Sequence, residues 1–181
     1  MSSDTPPVIG FICGSLREGS INAQLETALT QRFKRAGAKT TSINLGTYEL
    51  PLFHQDIAVP TNVKILIQKI QSCDGVIIVS PEYNGGLPPV LKNAIDWTST
   101  LSTEHIKKPY WGIGSCTPGA MSGIMCMRQI NYILMRLGGH VSPVQVGVGN
   151  AQSAFNAKGE LIGGPSADLA DRLIEDMLAR I

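Results

Sequence analysis

Charged residues of either sign and aromatic residues are scarce in this sequence. Of its 181 residues, 15 are Lys or Arg, 14 are Asp or Glu, and only 6% are aromatic. A broad nucleic-acid-binding surface normally shows a basic excess, so the near balance of charge argues against a nucleic-acid partner. Disordered chains are poor in apolar residues, whereas 43% of this chain is apolar. Length and composition therefore predict one domain with a sizeable core.

Long hydrophobic runs and an export signal are also lacking. The longest apolar runs, such as residues 8–13 and 75–79, are far shorter than the roughly 20 residues that span a membrane. The opening residues are polar and contain prolines, without the regions of a signal peptide. Residues 1–6 are predicted to be a disordered lead-in to a single domain over residues 7–181. We expect no membrane partner and a cytoplasmic location.

Cysteine and histidine show no pattern of a metal or redox site. The four cysteines form no C-x-x-C pair, and the three histidines are scattered. Free thiols in a reducing compartment are the expected state. Cys116 follows a predicted strand, but a reactive thiol requires a lowered pKa that the sequence does not indicate. The sequence therefore predicts neither a metal site nor a catalytic cysteine.

Short apolar runs alternate with helical patterns along the chain. Strands that alternate with helices predict a parallel sheet covered by helices on both faces. The polar second strand is typical of an edge and the β-branched third strand of the centre, which indicates the order 2-1-3-4-5. In such doubly wound α/β sheets, ligands bind at the carboxyl ends of the strands, where the order reverses. The predicted strands lie near residues 8–13, 40–45, 75–80, 109–114 and 144–148.

The segment after the first predicted strand has the composition of an anion site. Residues 14–22 read Gly-Ser-Leu-Arg-Glu-Gly-Ser-Ile-Asn and run directly into a predicted helix. Hydroxyl groups, the Arg17 guanidinium and the N–H groups of a helix N-terminus together could bind a phosphate. The glycine spacing matches neither the dinucleotide fingerprint nor the P-loop. An ordinary turn with a capping serine is the alternative.

The segments after the third and fourth strands are further candidates. Residues 80–89 hold two glycines and three prolines, which predict a rigid loop whose backbone groups could contact a flat polar heterocycle. Tyr83 would add a stacking face and Asn84 an amide, with a plain connector as the alternative. Glu82 has no acid–base partner nearby in sequence and is not predicted to be catalytic. Residues 115–123 are mostly small and leave room for a ligand.

Three motifs in this order resemble the NAD(P)H-dependent FMN reductase family: residues 14–22, residues 81–85 (Pro-Glu-Tyr-Asn-Gly) and residues 91–97 (Leu-Lys-Asn-Ala-Ile-Asp-Trp). The resemblance implies a flavodoxin-like fold with bound FMN. The residues implied to hold the FMN phosphate are Ser15, Arg17, Ser20 and Asn22. The residues implied to line the isoalloxazine, largely through backbone groups, are Pro81, Glu82, Tyr83, Asn84 and Gly85, and Ser115 would lie near the flavin edge.

The same resemblance implies an enzyme in which the flavin carries the chemistry. NADPH or NADH would donate a hydride to FMN, and the electrons would pass to a small-molecule acceptor such as a quinone, an azo compound, a metal oxyanion or free flavin. No second nucleotide fingerprint is visible, so donor and acceptor are expected to use one site in turn, in a ping-pong scheme. The alternatives are a flavodoxin-like electron carrier, although such carriers are usually strongly acidic, and a non-catalytic flavin sensor.

A helix predicted over about residues 120–137 is apolar on more than one face. A single buried stripe would cover only about 100° of a helix. The additional apolar face predicts a subunit interface, which agrees with the dimers and tetramers that the family forms. Trp97 and Tyr132 are placed in the same patch. A homodimer or homotetramer is therefore expected, with a deeply buried core helix as the alternative.

Overall fold

Five strands and six α-helices alternate in the computed structural model, which describes residues 5–181; the first four residues of the predicted lead-in lie outside that range. The strands are β1 (Val8–Cys13), β2 (Lys39–Ser42), β3 (Gly75–Val79), β4 (Tyr110–Cys116) and β5 (His140–Val148). The helices are α1 (Ile21–Arg35), α2 (Thr61–Gln71), α3 (Pro89–Ser99), α4 (Glu104–Lys107), α5 (Ile124–Arg136) and α6 (Pro165–Leu178). None of the described helices is long and apolar enough to cross a membrane.

The strands form one parallel sheet in the order β2-β1-β3-β4-β5, which confirms the predicted topology. In the register of the sheet, Cys13 of β1 lies beside Val79 of β3, and Val79 lies beside Gly114 of β4. These three strands therefore end at nearly the same level. The loops that follow them start side by side at the point where the strand order reverses.

Helices cover both faces of the sheet and divide the core in two. Helices α1 and α6 pack on one face with side chains such as Phe11 and Ile77, and α2, α3 and α5 pack on the other with Ile78 and Trp111. Strands β1, β3 and β4 are buried on both faces, which explains their continuous apolar runs. Gly112 lets α6 approach closely, because a Cβ there would lie 2.8 Å from the sulfur of Met177.

The two edges of the sheet differ in length and regularity. Strand β2 has only four residues, all polar, and pairs with β1 alone. Strand β5 has nine residues, and its register with β4 shifts between Trp111 and Ile113. It contains Pro143, which has no N–H donor. The polar edge position predicted for the second strand is thus confirmed.

Two predictions about the α5 region are wrong. The helix begins at Ile124 and not near residue 120, because Ser122 and Gly123 adopt left-handed backbone angles (φ of 56° and 69°) that interrupt it. Trp97 is not part of a surface patch. Its ring is buried, stacks edge-on against Phe53 at 5.0 Å, and donates from Nε1 to the carbonyl oxygen of Pro51 at 2.6 Å.

Candidate functional site

The loop after β1 runs directly into the N-terminus of α1. Ser20 caps the helix, because its Oγ accepts a hydrogen bond from the backbone N–H of Asn22 at 3.2 Å. Gly14 starts the loop and lies against β3: a Cβ at this position would be 2.5 Å from Ser80 Oγ. The close approach of Gly14 and Ser80 brings the first candidate loop alongside the second.

Arg17 and Ser15 present further donors at the same helix N-terminus. The exposed Arg17 side chain turns back, so that Nη2 lies 3.5 Å from the carbonyl oxygen of Gly19. Gly19 has a φ of 65°, which permits the sharp turn into α1. Ser15 Oγ accepts from the Arg17 N–H at 3.4 Å. A guanidinium, two hydroxyl groups and the first N–H groups of a helix are the donor set expected for a phosphate.

The side chain of Asn22 makes two hydrogen bonds within the protein. It is buried, and it bridges the backbone of Cys116 at the end of β4: Nδ2 donates to the Cys116 carbonyl and Oδ1 accepts from the Cys116 N–H, both at 2.9 Å. Both polar atoms of the amide are thus used within the protein. The side chain of Asn22 therefore ties α1 to β4.

The loop after β3 contains a tight two-residue turn. Tyr83 and Gly86 exchange backbone hydrogen bonds of 3.0 Å in both directions. The two residues between them, Asn84 and Gly85, have φ of 51° and 75°. Positive φ at both central positions is the geometry that Asn-Gly favours in hairpin turns. The turn exposes the Tyr83 ring and the Asn84 side chain at the carboxyl edge of the sheet.

Glu82 and Gln129 connect this loop to α5. Glu82 Oε2 accepts from the backbone N–H groups of Met125 and Cys126, at 3.0 and 3.1 Å. Gln129 Nε2 donates to the carbonyl oxygen of Gly85 at 3.1 Å, and its Oε1 accepts from the Leu87 N–H at 3.3 Å. The carboxylate of Glu82 is therefore a helix cap. The sequence did not indicate this role for Glu82 or any role for Gln129.

Ser115 lies at the end of β4 beneath the segment that precedes α5. Its Oγ is buried and has no hydrogen-bond partner. It is pressed against Gly123, where an added Cβ would be only 1.9 Å away. A buried hydroxyl without a partner is costly, and in this structure the Ser115 Oγ has no access to solvent.

The cysteines nearest the site are poor nucleophiles. Burial raises the pKa of the Cys116 thiol to about 12, and burial also raises the pKa values of the Cys13 and Cys126 thiols. A nucleophilic cysteine requires a thiolate, and these thiols are protonated at neutral pH. These thiols therefore lack the lowered pKa of a nucleophilic cysteine.

A family model of NADPH-dependent FMN reductases matches residues 7–153 of this chain. The chain belongs to this family. The predicted membership is thereby confirmed, together with FMN and NAD(P)H as the cofactors and with an enzymatic role. Among the described residues, the matched range contains all five strands and every candidate site residue.

Relatives of this reductase family agree with the assignment. The chain is 32% identical to a quinone reductase of Escherichia coli K12 over 130 residues, which cover 70% of this chain and 68% of the relative. It is 32% identical to an NAD(P)H-dependent FMN reductase of Pseudomonas aeruginosa over 185 aligned positions, covering 97% and 93% of the two chains. A flavoenzyme NAD(P)H:(acceptor) oxidoreductase of Paracoccus denitrificans has the same fold, with a TM-score of 0.82, 21% identity and 96% of each chain covered.

The third sequence motif of this FMN reductase has a structural role. Asn93 and Trp97 are one helical turn apart on α3 and hold the segment that follows the 3-10 helix Leu45–Tyr48. Asn93 Oδ1 accepts from the Phe53 N–H at 2.8 Å, and its Nδ2 donates to the Pro51 carbonyl at 2.9 Å. The motif therefore fastens residues 50–53 to α3.

Proposed function

We propose that the protein binds the FMN phosphate at residues 14–20, in a single flavin-binding domain over residues 7–181. The observation that carries the proposal is the donor set of Ser15, Arg17, Ser20 and the N-terminus of α1. These three side chains hydrogen-bond only to neighbouring residues along the chain. The amide of Asn22, in contrast, hydrogen-bonds to the backbone of Cys116. Asn22 is therefore proposed to support the phosphate loop through α1.

The isoalloxazine is proposed to lie against residues 81–85. Gly14 and Ser80 are in close contact, so a ligand with its phosphate in the first loop reaches the second loop directly. The turn exposes Asn84, and Tyr83 offers an aromatic face. The Ser115 hydroxyl, which has no partner within the protein, is proposed to lie close to the flavin edge.

FMN, when bound, supplies the acceptor for a hydride from nicotinamide and the donor of electrons to a second substrate. The residues of this chain bind and orient the flavin, and no side chain is required as a nucleophile or general base. The relatives named as quinone reductases support a quinone as the acceptor, and azo compounds, metal oxyanions and free flavin are the other candidates. Ser15, Arg17 and Ser20 hold one end of the flavin, while the Tyr83–Gly86 turn sets the environment of its ring.

The nicotinamide donor and the acceptor are proposed to occupy the same site in turn. Within residues 5–181, the carboxyl edge of the sheet offers one cluster of loops at the strand reversal, and the sequence has no second nucleotide fingerprint. Initial rates with varied NADPH and varied benzoquinone are expected to give parallel double-reciprocal lines. Intersecting lines would show a ternary complex and contradict the shared site.

Flavin binding and reduction test the proposed function itself. Purified protein mixed with FMN is expected to retain it through gel filtration, and NADPH or NADH added without oxygen is expected to bleach the flavin absorption. Benzoquinone should then restore the absorption with repeated turnover. A protein that binds no FMN contradicts the proposal; one that binds FMN but is not reduced by either nicotinamide acts as an electron carrier or a flavin sensor.

The surface of α5 is proposed to join subunits of a homodimer or homotetramer. Tyr132 and Met135 are 65% and 60% exposed, although both side chains are large and mainly apolar. A mostly apolar groove of about 600 Å³ runs along this surface, between Leu87, Lys92 of α3 and Tyr132. Exposed apolar patches of this kind are typical of protein interfaces. A second copy of the chain is the proposed occupant of the groove.

A cytoplasmic location is also proposed. The four cysteines form no disulfide, which agrees with a reducing compartment.

A charge placed on this surface should separate the subunits. We expect Tyr132→Asp to lower the molar mass measured by light scattering toward that of a monomer, because a buried unpaired carboxylate is strongly unfavourable in an interface. Ile65→Asp is the matched control, since Ile65 is 49% exposed on α2, away from the groove. An unchanged molar mass for Tyr132→Asp would exclude α5 as the interface.

A further inference from the structure

The N-terminus of α5 lacks a cap from its own segment. Gly123 precedes the helix and has no side chain to accept hydrogen bonds from the first turn. The acceptor comes instead from Glu82, whose carboxylate binds the N–H groups of Met125 and Cys126. A negative charge at a helix N-terminus is also favoured by the helix dipole. The loop after β3 and the start of α5 are therefore joined by a charged contact across 43 residues of sequence.

A second contact joins the same two elements one helical turn further along. Gln129 donates to the Gly85 carbonyl and accepts from the Leu87 N–H, so its amide holds the C-terminal half of the turn and the residue that follows it. The turn itself has only the mutual hydrogen bonds of Tyr83 and Gly86. An isolated hairpin of this size is at best marginally stable, so its position depends on the element that holds it.

We propose that Glu82 and Gln129 are positioning residues, which hold the Tyr83–Gly86 turn against α5 and thereby set the surroundings of the flavin ring. The proposal rests on the proposed function, because it assumes that the turn borders the isoalloxazine. Glu82 acts through its backbone and through α5, and its carboxylate is not a ligand of the flavin. Gln129 acts on the carbonyl of Gly85, whose direction decides what the turn presents to the ring.

The first test uses the FMN-free protein. Gln129→Met keeps a side chain of similar length and removes both hydrogen bonds. Amide hydrogen exchange at Gly86 and Leu87 is expected to become about two- to tenfold faster, since one to two ordinary hydrogen bonds are lost. Gln68→Met, the same change on the exposed face of α2, is the control and should leave exchange in the turn unchanged. Equal exchange in wild type and Gln129→Met would overturn the proposal.

The second test measures the ratio of reduced to oxidised bound flavin when the protein is equilibrated with a reference redox dye. Gln129→Met is expected to change the ratio of reduced to oxidised flavin by about two- to tenfold, because hydrogen bonds near the ring tune its electronics. Glu82→Ala should change the ratio in the same direction. Glu82→Gln, which keeps an oxygen acceptor for α5, should restore the ratio in part.

The outcomes distinguish failure of the positioning role from failure of flavin binding. If Glu82→Ala speeds exchange at Met125 and Cys126 while the flavin ratio stays at its wild-type value, the contact is only a helix cap and the proposal is overturned. A wild-type protein without FMN affinity would contradict the proposed function instead. In that case the exchange measurements would still decide whether Glu82 and Gln129 hold the Tyr83–Gly86 turn against α5.

Discussion

Arg17→Ala is expected to weaken FMN binding by about ten- to a hundredfold, because a charge-assisted hydrogen bond to phosphate contributes about 1.5–3 kcal/mol. Riboflavin affinity should not change, since riboflavin lacks the phosphate. The measurement is the quenching of flavin fluorescence on titration with protein, for FMN and riboflavin in parallel. Wild-type FMN affinity should also fall more steeply with salt than that of Arg17→Ala.

The matched control removes one positive charge from the far end of the same helix. Lys34 is exposed in the last turn of α1, and Lys34→Ala should leave FMN affinity within about twofold of wild type. Should Arg17→Ala retain wild-type FMN affinity, or lose FMN and riboflavin affinity equally, the phosphate does not bind at residues 14–20. The exposed carboxylate of Glu18, next to Arg17, repels an anion. The positive charge of the Arg17 guanidinium offsets that repulsion.

The second large effect is a loss of stability between pH 6.5 and 4 that comes from His105. This residue lies in α4 and is fully buried, and neither ring nitrogen makes a hydrogen bond of normal geometry; the backbone of Ser102 is only a weak partner. Burial lowers the pKa of His105 to about 4, and the Ser102 backbone offsets only part of this shift. The unfolded chain therefore takes up a proton below pH 6.5 that the folded chain does not. This difference in protonation lowers the free energy of unfolding by about 3 kcal/mol between neutral pH and pH 4.

Urea unfolding of wild type and His105→Gln across this pH range isolates the contribution. The wild type should lose about 3 kcal/mol more than His105→Gln, whose side chain does not titrate. Burial raises the pKa of Glu26, which has the opposite effect on stability near its own pKa, but this contribution is the same in both proteins. The control His54→Gln alters an exposed histidine and should follow wild type. Equal pH dependence in wild type and His105→Gln would show that His105 titrates normally.

The sheet could be predicted because burial on both faces leaves a continuous apolar run in the sequence. Strand β3 has this pattern, and the polar residues of β2 indicate an edge, so the strand order followed from composition. The start of α5 was missed because the left-handed angles of Ser122 and Gly123 have no signature in apolar periodicity. The burial of Trp97 has no signature in the sequence for a related reason. Its hydrogen-bond partner, Pro51, lies in a loop 46 residues away, and apolar periodicity does not describe the path of a loop.

The candidate site could be predicted as a set of segments, but not as a set of contacts. Residues 14–22 and 81–85 stood out by composition and by their position after strands. The bridge from Asn22 to the backbone of Cys116 spans 94 residues, and the cap from Glu82 to α5 spans 43. A side chain that pairs with distant backbone leaves no spacing pattern, so these roles appear only when the chain is folded.

The two edges of the sheet protect this protein against aggregation through strand pairing. An open edge strand is a template for pairing with another chain, and proteins protect such edges with short, polar or proline-containing strands. Here β2 is four polar residues long, and β5 carries Pro143 and an irregular register. Both edges thus discourage growth of the sheet from one molecule to the next. The interface proposed on the exposed apolar side chains of α5 uses neither sheet edge, so it favours a closed assembly over a growing one.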